Sequence, residues 1–358
     1  MKVACVCPFS LKRLTGTPIR AQTTIAAIAE DHDVIVIARE TEPCANATVY
    51  STGLVGLFSF TRLALAHLRF FEPEIVHGIT TASALPILLY KWFFKSSARI
   101  IFEMHGWAWF EQKHVSSLLK RSAFSGMDYL GLWFSQAVIA VSKTEKKFLS
   151  RRAFGTRRIM VVWDPVDFDN VYKSPAHSDH LAVGYIGNSA WWQGLHHLID
   201  AAQRLKEDTR ISFRLAGFDA GDVEKFPRLP RVEYVGRVER ADVVAFLENC
   251  DVLVSPRLPE KVSNLQFPHK LSEYLAVGRP VIVSSASDQS EVVREGKCGI
   301  VADPLSGETV AEAIKTIAAL PEKERKEWGE RAYVYARQTV HADVFSRRLK
   351  EVYASVMR

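Results

Sequence analysis

The sequence predicts an α/β protein with two Rossmann-like domains that face a cleft. Its 358 residues exceed the length of a typical single domain. Short runs rich in Val and Ile alternate with helical patterns as far as residue 162, which indicates a parallel sheet covered by helices. A second alternating series begins at Leu181, after a polar stretch at 172–179 that fits a linker. Two such series indicate two Rossmann-like domains, with ligands at the carboxyl ends of the strands.

The first series opens with a strand at 2–8, turn residues around Gly16 and a helix at 19–29. A strand at 34–38 completes the first β-loop-α-β unit. Further strands are expected at 75–77, 99–103, 137–141 and 159–162, and further helices at 82–94 and 143–149. Ser142 precedes the last of these helices, and its hydroxyl is suited to cap it.

The second series predicts strands at 181–187, 211–216, 232–235, 251–255, 280–284 and 299–301, with helices at 195–207, 241–248 and 268–277. The expected domains are therefore 1–174 and 175–337, followed by a final helix at 338–358. No fixed period along the chain suggests a repeat protein.

The composition is that of an ordinary globular protein, with 48% hydrophobic and 24% charged residues, which excludes a disordered chain. Five scattered cysteines form no disulfide or metal pattern, so a reducing cytoplasm is expected. The first residues run directly into a strand and show no signal peptide. The longest apolar run falls well short of the roughly 20 residues that cross a bilayer.

The first half of the chain carries the whole positive excess. The net charge is +6, but residues 1–174 hold 21 basic and 14 acidic side chains, whereas residues 175–358 hold 25 and 26. This asymmetry predicts an anionic partner for the first half. Basic residues at 143–158 and apolar residues at 57–71 suit an anionic membrane surface, and no nucleic-acid recognition motif is present. The alternative is that these basic residues form a solvent-exposed face without any partner.

Two common nucleotide-binding fingerprints are missing. A dinucleotide site needs GxGxxG between a strand and a helix, yet the turn at Gly16 has one glycine, and Gly184 and Gly187 are wrongly spaced. The P-loop pattern is also absent. A two-domain oxidoreductase and an NTPase are therefore disfavoured, and the binding of a nicotinamide or flavin cofactor would test the former.

The most informative stretch is 267–283, FPHKLSEYLAVGRPVIV. Pro268 is expected to start a helix that Gly278 ends at its C′ position. Lys270 and Glu273 are three residues apart and share one face near the start of this helix. There a glutamate can bind a ribose hydroxyl, while a lysine and free N–H groups bind a diphosphate. A solvated ion pair between the two side chains is the alternative.

This stretch resembles the signature region of retaining nucleotide-sugar glycosyltransferases of the GT-B fold, family 4 or group 1, which commonly show P-x-K-L-x-E-Y-L-A-x-G-x-P-V-I. Weaker matches follow in the family's order across nearly the whole chain, at 103–106 (EMHG), 137–142, 162–167 and 185–187. The resemblance implies an acceptor-binding first domain and a second domain that binds the nucleotide-sugar. It also implies that the final helix crosses back to the first domain.

The resemblance implies roles for individual residues. His105 would contact the transferred sugar, and Glu273 would hold the ribose. Lys270 and the loop 264–267 would lie near the diphosphate. The catalytic residues would be His105 and Glu273, and the donor-binding residues Gly16, Gly187, Asn188, Gln193, Arg237, Asn264, Gln266, Phe267, Lys270 and Glu273.

The chemistry implied is stabilisation of a departing nucleoside diphosphate. That diphosphate can itself accept the proton of the acceptor, so neither a carboxylate nucleophile nor a metal or other cofactor is expected. The segments 31–33 and 167–169 fit the DxD pattern of metal sites, but they occupy a strand entry and a loop. The expected partners are a nucleotide-sugar and a glycan or lipid-linked acceptor, at the cytoplasmic face of a membrane.

Three departures from the family pattern leave a second hypothesis open. The first glutamate of the family's E-x7-E pair is Leu265 here, and the usual Arg and Lys after the first strand of the donor domain are Asn188 and Gln193. Trp191 and Trp192 make the same loop unusually aromatic. The chain is thus expected to be either a glycosyltransferase or a degenerate relative that binds a nucleotide-sugar or a partner without turnover.

Overall fold

The computed structural model describes residues 1–12, 16–44, 46–111, 117–154, 158–166 and 180–357. The chain divides into two compact units, which we call unit 1 (Met1–Pro165 with Ala342–Arg358) and unit 2 (Val166–His341). The boundaries expected from the sequence, after residues 174 and 337, differ from this division. The second differs because one helix runs on to Thr339 and the next begins at Ala342.

Unit 1 contains a seven-stranded parallel sheet in the order β3-β2-β1-β4-β5-β6-β7. The strands are β1 (Lys2–Ser10), β2 (Asp33–Glu40), β3 (Ala47–Ser51), β4 (Ile75–Ile79), β5 (Arg99–Met104), β6 (Ala137–Ala140) and β7 (Arg158–Val161). The helices are α1 (Gly16–Ala29), α2 (Leu57–Phe71), α3 (Ala84–Phe93), α4 (Ala108–Glu111), α5 (Leu118–Phe134) and α6 (Lys143–Ser150). The central strands are buried almost throughout, as expected for a parallel sheet covered on both faces.

Unit 2 contains a six-stranded parallel sheet in the order β10-β9-β8-β11-β12-β13. The strands are β8 (Leu181–Ile186), β9 (Ile211–Ala216), β10 (Val232–Gly236), β11 (Val252–Ser255), β12 (Val281–Ser284) and β13 (Gly299–Ala302). The helices are α7 (Leu195–Arg204), α8 (Ala220–Val223), α9 (Val243–Glu248), α10 (Lys261–Asn264), α11 (His269–Ala276), α12 (Gln289–Gly296), α13 (Gly307–Ala319) and α14 (Glu322–Thr339). Among the described residues no helix has both the length and the apolar character needed to span a bilayer.

The last helix, α15 (Ala342–Met357), packs against α1, β5 and β6 of unit 1. Its apolar stripe, with Phe345, Leu349 and Val352, joins the core beneath β1. The Tyr353 hydroxyl lies 2.9 Å from Nδ1 of His77 on β4. The helix is thus an integral part of unit 1, although unit 2 separates it from the rest of that unit in the sequence.

Two helix ends are formed by the capping residues that the sequence predicts. The Ser142 hydroxyl accepts a hydrogen bond from the amide of Glu145, which confirms the expected N-cap of α6. Gly278 has φ of +66° after the last turn of α11, which confirms its C′ position. One expectation is wrong: Gly16 is the first residue of α1 and does not lie in a turn before it.

Candidate functional site

A buried carboxylate organises the end of β5. Glu103 is fully buried and accepts hydrogen bonds from Nε of Arg20 at 2.9 Å and from Nε2 of His105 at 2.6 Å. Its second oxygen lies 3.5 Å from Nε2 of His77. Arg20, on α1, also donates to Asp164 at 3.0 Å. These five residues, Arg20, His77, Glu103, His105 and Asp164, form what we call the Glu103 network.

Electrostatics keeps Glu103 ionised. Burial alone would raise the pKa of this carboxyl group, but Arg20 and then His105 and His77 outweigh burial and hold the pKa well below its usual range. An ionised Glu103 accepts the Nε2 proton of His105 and therefore fixes the tautomer of its ring. The other ring nitrogen, Nδ1, lies 3.2 Å from the hydroxyl of Thr17 and is left to accept a hydrogen bond.

This arrangement turns His105 toward the first turn of α1, where Gly16 and Thr17 lie. Its side chain is 12% exposed, so the ring is held in place and still partly open to solvent. The structure thus brings the predicted residues His105 and Gly16 to the same end of the unit 1 sheet. Arg20 and Glu103 were not among the predicted site residues, and their pairing joins positions 83 residues apart.

Two further carboxyl groups hold the loop that follows His105. Glu145 accepts hydrogen bonds from the amides of Gly106 and Val141 at 2.7 and 2.8 Å. Asp128 accepts from the amide of Ala108 at 2.8 Å and from the hydroxyl of Thr81 at 2.6 Å. Burial raises the pKa of Asp128 to about 7 and that of Glu145 well above its usual range.

A largely buried lysine, Lys270, organises the polar contacts at the start of α11 in unit 2. Nζ of Lys270, on α11, donates to the hydroxyl of Tyr185 at 3.2 Å and to Oε1 of Gln193 at 2.8 Å. It also lies 4.3 Å from the centre of the Tyr185 ring. Within the described residues no carboxylate lies within ion-pairing distance of this amine. Burial, reinforced by the nearby guanidinium of Arg257, holds the pKa of Lys270 well below its usual range.

Gly187 is required where β8 ends, because a Cβ at this position would meet Nζ of Lys270 and the Tyr185 hydroxyl. On its other side, the backbone of Gly187 is so close to Gly217 that a Cβ on Gly217 would meet it at 2.6 Å. We call Tyr185, Gly187, Gln193, Arg257 and Lys270 the Lys270 site. Three of its members, Gly187, Gln193 and Lys270, were predicted from the sequence as donor-binding residues.

Glu273 does not pair with Lys270, so the expected alternative of a solvated i,i+3 ion pair is wrong. Instead the buried Glu273 carboxylate pairs with Arg240 and lies 3.4 Å from Nε2 of His269. Burial would raise the pKa of Glu273, but His269 and Arg240 outweigh it and lower that pKa. Lys270 and Glu273 therefore have separate surroundings on one helix.

The predicted residues of the loop 264–267 are buried or hydrogen bonded to neighbouring parts of unit 2. The Phe267 side chain is buried, and Oδ1 of Asn264 accepts from the amide of Ser287 at 3.0 Å. Oε1 of Gln266 accepts from Arg257 at 3.3 Å. Leu265, at the position of the missing family glutamate, is also buried.

The side chains of two predicted polar residues, Asn188 and Arg237, do not bond to the Lys270 amine. Asn188 is exposed, and its Oδ1 accepts from the amide of Ala190 at 3.1 Å, which shapes the loop after β8. Arg237 is 76% exposed and forms an ion pair with Asp219. The arginine that pairs with Glu273 is Arg240, three residues further on. The donor-binding role of Arg237 stays a prediction.

Two family models match the chain. The model described as Glycosyltransferase Family 4 covers residues 16–170, and the model described as Glycosyl transferases group 1 covers residues 180–319. The curated relatives include two uncharacterized glycosyltransferases of Methanocaldococcus jannaschii, 23% identical over 235 residues and 26% identical over 209 residues. The first match covers 59% of this chain and 56% of the relative, and the second covers 57% and 55%. The matches thus span little more than half the length of these relatives.

A third relative is the N,N'-diacetylbacillosaminyl-diphospho-undecaprenol alpha-1,3-N-acetylgalactosaminyltransferase of Campylobacter jejuni, 26% identical over 37% of this chain and 34% of that protein. Among solved structures, sucrose-phosphate synthase of Thermosynechococcus elongatus has a TM-score of 0.81 at 15% identity, covering 100% of this chain and 99% of that one. HepE of Anabaena, in complex with UDP-glucose, has a TM-score of 0.77 at 17% identity, covering 99% and 100%. With the two family models and this likeness in fold, the chain belongs to the group 1 glycosyltransferases and has the GT-B fold.

Proposed function

We propose that this glycosyltransferase uses a nucleotide-sugar whose diphosphate binds at the Lys270 site. The observation that carries the proposal is the buried Lys270 amine, whose hydrogen-bonding partners are two neutral oxygens. A buried cation without a carboxylate partner gains most when an anion binds beside it. Arg257 adds a second positive charge near the same place. Since Gly187 carries no side chain, a phosphate could approach both the amine and the backbone there.

The nucleoside would be held by Glu273 through a ribose hydroxyl. Arg240 and His269 keep this carboxylate ionised, so it can act as a strong hydrogen-bond acceptor. The nucleoside is uridine, guanosine or adenosine. UDP-glucose in the similar HepE structure and ADP in a similar starch synthase from Arabidopsis thaliana support this range.

The reaction we propose proceeds with retention of the anomeric configuration. The bond from the anomeric carbon to the diphosphate oxygen breaks, and the bond from the acceptor oxygen forms on the same face of the sugar. The acceptor proton moves to the departing diphosphate, so no protein carboxylate is needed as nucleophile and no metal is required. Lys270 and Arg257 neutralise the developing charge, and His105 accepts a hydrogen bond from a sugar hydroxyl at Nδ1.

The acceptor is proposed to be a glycan or a lipid-linked saccharide in the synthesis of surface polysaccharide or glycolipid, at the cytoplasmic face of a membrane. One similar protein is named for a diphospho-undecaprenol acceptor, and the similar WaaG is described as involved in lipopolysaccharide biosynthesis. The positive excess of residues 1–174 fits a location beside anionic lipid.

Binding and turnover test the proposal separately. Thermal shifts with UDP, GDP and ADP identify the base, and release of nucleoside diphosphate from a panel of nucleotide-sugars with membrane extract measures transfer. Lys270→Met should strongly reduce the thermal shift, whereas Arg210→Ala, which removes an exposed ion pair of unit 2, should keep it. NMR of the product establishes retention. An inverted product, or equal binding by wild type and Lys270→Met, would contradict the proposal.

A binding protein without turnover is the second candidate. It is favoured by Leu265, which is buried where the family has a glutamate, and by the neutral residues Asn188 and Gln193. In that case nucleotides stabilise the protein, but no nucleotide-sugar in the panel yields free nucleoside diphosphate. Diphosphate release that Glu273→Gln abolishes would exclude this candidate.

A further inference from the structure

The Glu103 network continues from His105 through the core of unit 1 to the last helix. Oε1 of Glu103 accepts the hydrogen bond from His105 at 2.6 Å, and Oε2 lies 3.5 Å from Nε2 of His77. On the other side of the His77 ring, Nδ1 lies 2.9 Å from the hydroxyl of Tyr353 on α15. Four side chains, two of them brought in by β4 and α15, therefore form one polar path that ends at His105.

The fold explains why these side chains meet. The parallel register pairs His77 of β4 with Ile101 of β5, and Glu103 follows two residues later. Residues two apart on a strand point to the same face, so the side chains of Ile101 and Glu103 share the face that His77 also occupies. The core on this face includes Ile101 and the α15 residues Phe345 and Tyr353. Because α15 returns to unit 1, its tyrosine can reach a histidine next to the Glu103 carboxylate.

These polar groups occupy positions in an otherwise apolar core. His77 and Glu103 are completely buried, and Tyr353 is 3% exposed. Their surroundings include Cys5, which is paired with His77 in the sheet, and Ile101. Burying a polar side chain costs free energy that an apolar side chain of similar size does not cost. The polar character of His77 and Tyr353 therefore indicates a role beyond filling the core.

The charge of Glu103 decides the direction of the hydrogen bonds. Arg20 and the two histidines hold the pKa of this carboxyl group well below its usual range, so both of its oxygens are acceptors. If His77 donated from Nδ1 to Tyr353, the lone pair of Nε2 would face the carboxylate, which is unfavourable. The favourable order is that the Tyr353 hydroxyl donates to Nδ1 and that Nε2–H of His77 points at Oε2.

The two atoms that face each other at 3.5 Å depend on this contact. Within the described part of the chain, neither Nε2 of His77 nor Oε2 of Glu103 has another hydrogen-bonding partner, and both are buried. The other oxygen, Oε1, accepts from both Arg20 and His105. The carboxylate is thus held on one side by the donors that fix His105 and on the other side by His77.

From this we propose that Tyr353 and His77 are positioning residues that hold His105 through Glu103. Tyr353 fixes the tautomer of His77, and His77 prevents the Glu103 carboxylate from rotating away from His105. The ring of His105 therefore keeps its Nε2–H tautomer and leaves Nδ1 as an acceptor near α1. The inference rests on the proposed function, in which Nδ1 of His105 accepts a hydrogen bond from a sugar hydroxyl.

Nitrogen NMR of the histidine rings tests the proposal without ligand or turnover. The signals of His105, identified by their loss in His105→Gln, should show the Nε2–H tautomer in wild type. Tyr353→Phe keeps the ring and removes only the hydroxyl, and it should introduce the Nδ1–H tautomer of His105. His77→Leu should introduce more of it, because the donor that faces Glu103 is gone. Unchanged His105 signals in both variants would overturn the proposal.

Tyr90→Phe is the matched control for the lost hydroxyl. Tyr90 is also a buried tyrosine of unit 1, 1% exposed, but it lies on α3. Its replacement should leave the His105 signals as they are in wild type. An equal change in Tyr90→Phe and Tyr353→Phe would reveal a general response to a missing buried hydroxyl and would overturn the proposal.

Two replacements of His77 separate positioning from packing. The amide nitrogen of His77→Gln can take the place of Nε2 as a donor to Glu103, whereas His77→Leu fills the core without a donor. If His77 only packed the core, Leu would be tolerated at least as well as Gln. We expect His77→Gln to keep the wild-type tautomer of His105 and His77→Leu to lose it. The reverse order would contradict a positioning role.

Turnover provides a second readout, with the nucleotide-sugar from which wild type releases diphosphate fastest in the presence of membrane extract. Its release should slow by about five- to tenfold in Tyr353→Phe and His77→Leu and recover in His77→Gln. Binding of UDP, GDP or ADP should stay unchanged in all three, since the Lys270 site belongs to unit 2. Wild-type turnover in His77→Leu would overturn the proposal. No turnover in wild type would refute the proposed function instead, and the NMR result alone would then decide this inference.

Discussion

The polar centres of the two units have opposite charge balances. In unit 1 the buried carboxylate Glu103 is bonded to Arg20 and His105 and lies beside His77. In unit 2 the buried amine of Lys270 contacts only neutral oxygens among its hydrogen-bond partners, with Arg257 nearby. The charge of Glu103 is neutralised by residues of the first centre, which fixes its geometry, whereas the amine of the second centre has no ionic partner of its own and is available to an external anion.

This difference predicts that removing one partner of Glu103 destabilises unit 1, whereas removing the Lys270 amine does not destabilise unit 2. A buried ion that keeps all its partners is tolerated, but an ion that loses its partner is strongly destabilising. A buried amine without an ionic partner pays for its desolvation until a ligand arrives. Substitutions at the two centres should therefore have opposite effects on folding and on binding.

The largest effect is expected for Arg20→Met. It leaves Glu103 and Asp164 buried without their cation and should lower the free energy of unfolding by about 3 to 5 kcal/mol. Urea unfolding measures the change, and the exposed Arg347→Met is the control, expected to change stability by less than about 0.5 kcal/mol. Similar stability of Arg20→Met and Arg347→Met would contradict the claim that Glu103 and Asp164 depend on the Arg20 cation.

The next effect is a loss of binding with no loss of folding. Lys270→Met should weaken nucleoside diphosphate binding by about 30- to 150-fold, because a hydrogen bond to a charged group contributes about 2 to 3 kcal/mol. Its urea midpoint should equal or exceed that of wild type, since a buried charge is removed. Calorimetric titration with UDP, GDP or ADP measures the first quantity, and Lys261→Met, on an exposed residue, serves as control. A destabilised variant that binds normally would reverse the comparison.

The third effect concerns pH and sharpens the account of unit 1. The pKa of Asp128 is about 7 in the folded protein and 3.8 in the unfolded chain, so the folded state binds more protons between these values. This contribution to stability is complete below the unfolded pKa and is lost as pH rises toward 7. Between pH 5 and 6, wild type should lose about 1.4 kcal/mol more stability than Asp128→Asn. Parallel pH profiles for the two proteins would contradict the raised pKa.

The smallest effect is expected for Gly187→Ala. The new methyl group must displace the Lys270 amine or the Tyr185 hydroxyl, so nucleotide binding should weaken by about tenfold and stability should fall by about 1 kcal/mol. Gly126→Ala on α5 is the matched control, because its Cβ meets no atom within 4 Å. It should stabilise the protein by about 0.5 to 1 kcal/mol, as alanine does inside a helix. Unchanged nucleotide binding by Gly187→Ala would show that the amine has room to move.

Sequence reasoning succeeded where the signal is local. The Ser142 cap and the Gly278 ending depend on a few neighbouring residues, and β9 (Ile211–Ala216) has its expected bounds because its apolar run is short and sharply bounded. The predicted elements do not include α2, or the edge strand β3, whose side chains are mostly half-buried or exposed and give little contrast.

The site was less predictable because its contacts join distant positions. Nothing near Arg20 in sequence indicates that it pairs with a carboxylate 83 residues away, or that His77 meets Tyr353 across 276 residues. Arg237 lies three residues before the short helical segment that begins at Arg240, and only the folded geometry shows that Arg240 is the one that reaches Glu273. The DxD segment at 167–169 lies outside the described residues, so its expected lack of a metal role stays a prediction.

The return of α15 to unit 1 has a consequence for the order in which the protein forms during synthesis. All of Val166–His341 is synthesised before Ala342, so the whole chain of unit 2 is made while unit 1 still lacks one of its covering helices. Until then the apolar surface that later contacts Phe345 and Leu349 stays uncovered, a state open to misassembly. The part of the chain that is translated first is therefore the last to be finished.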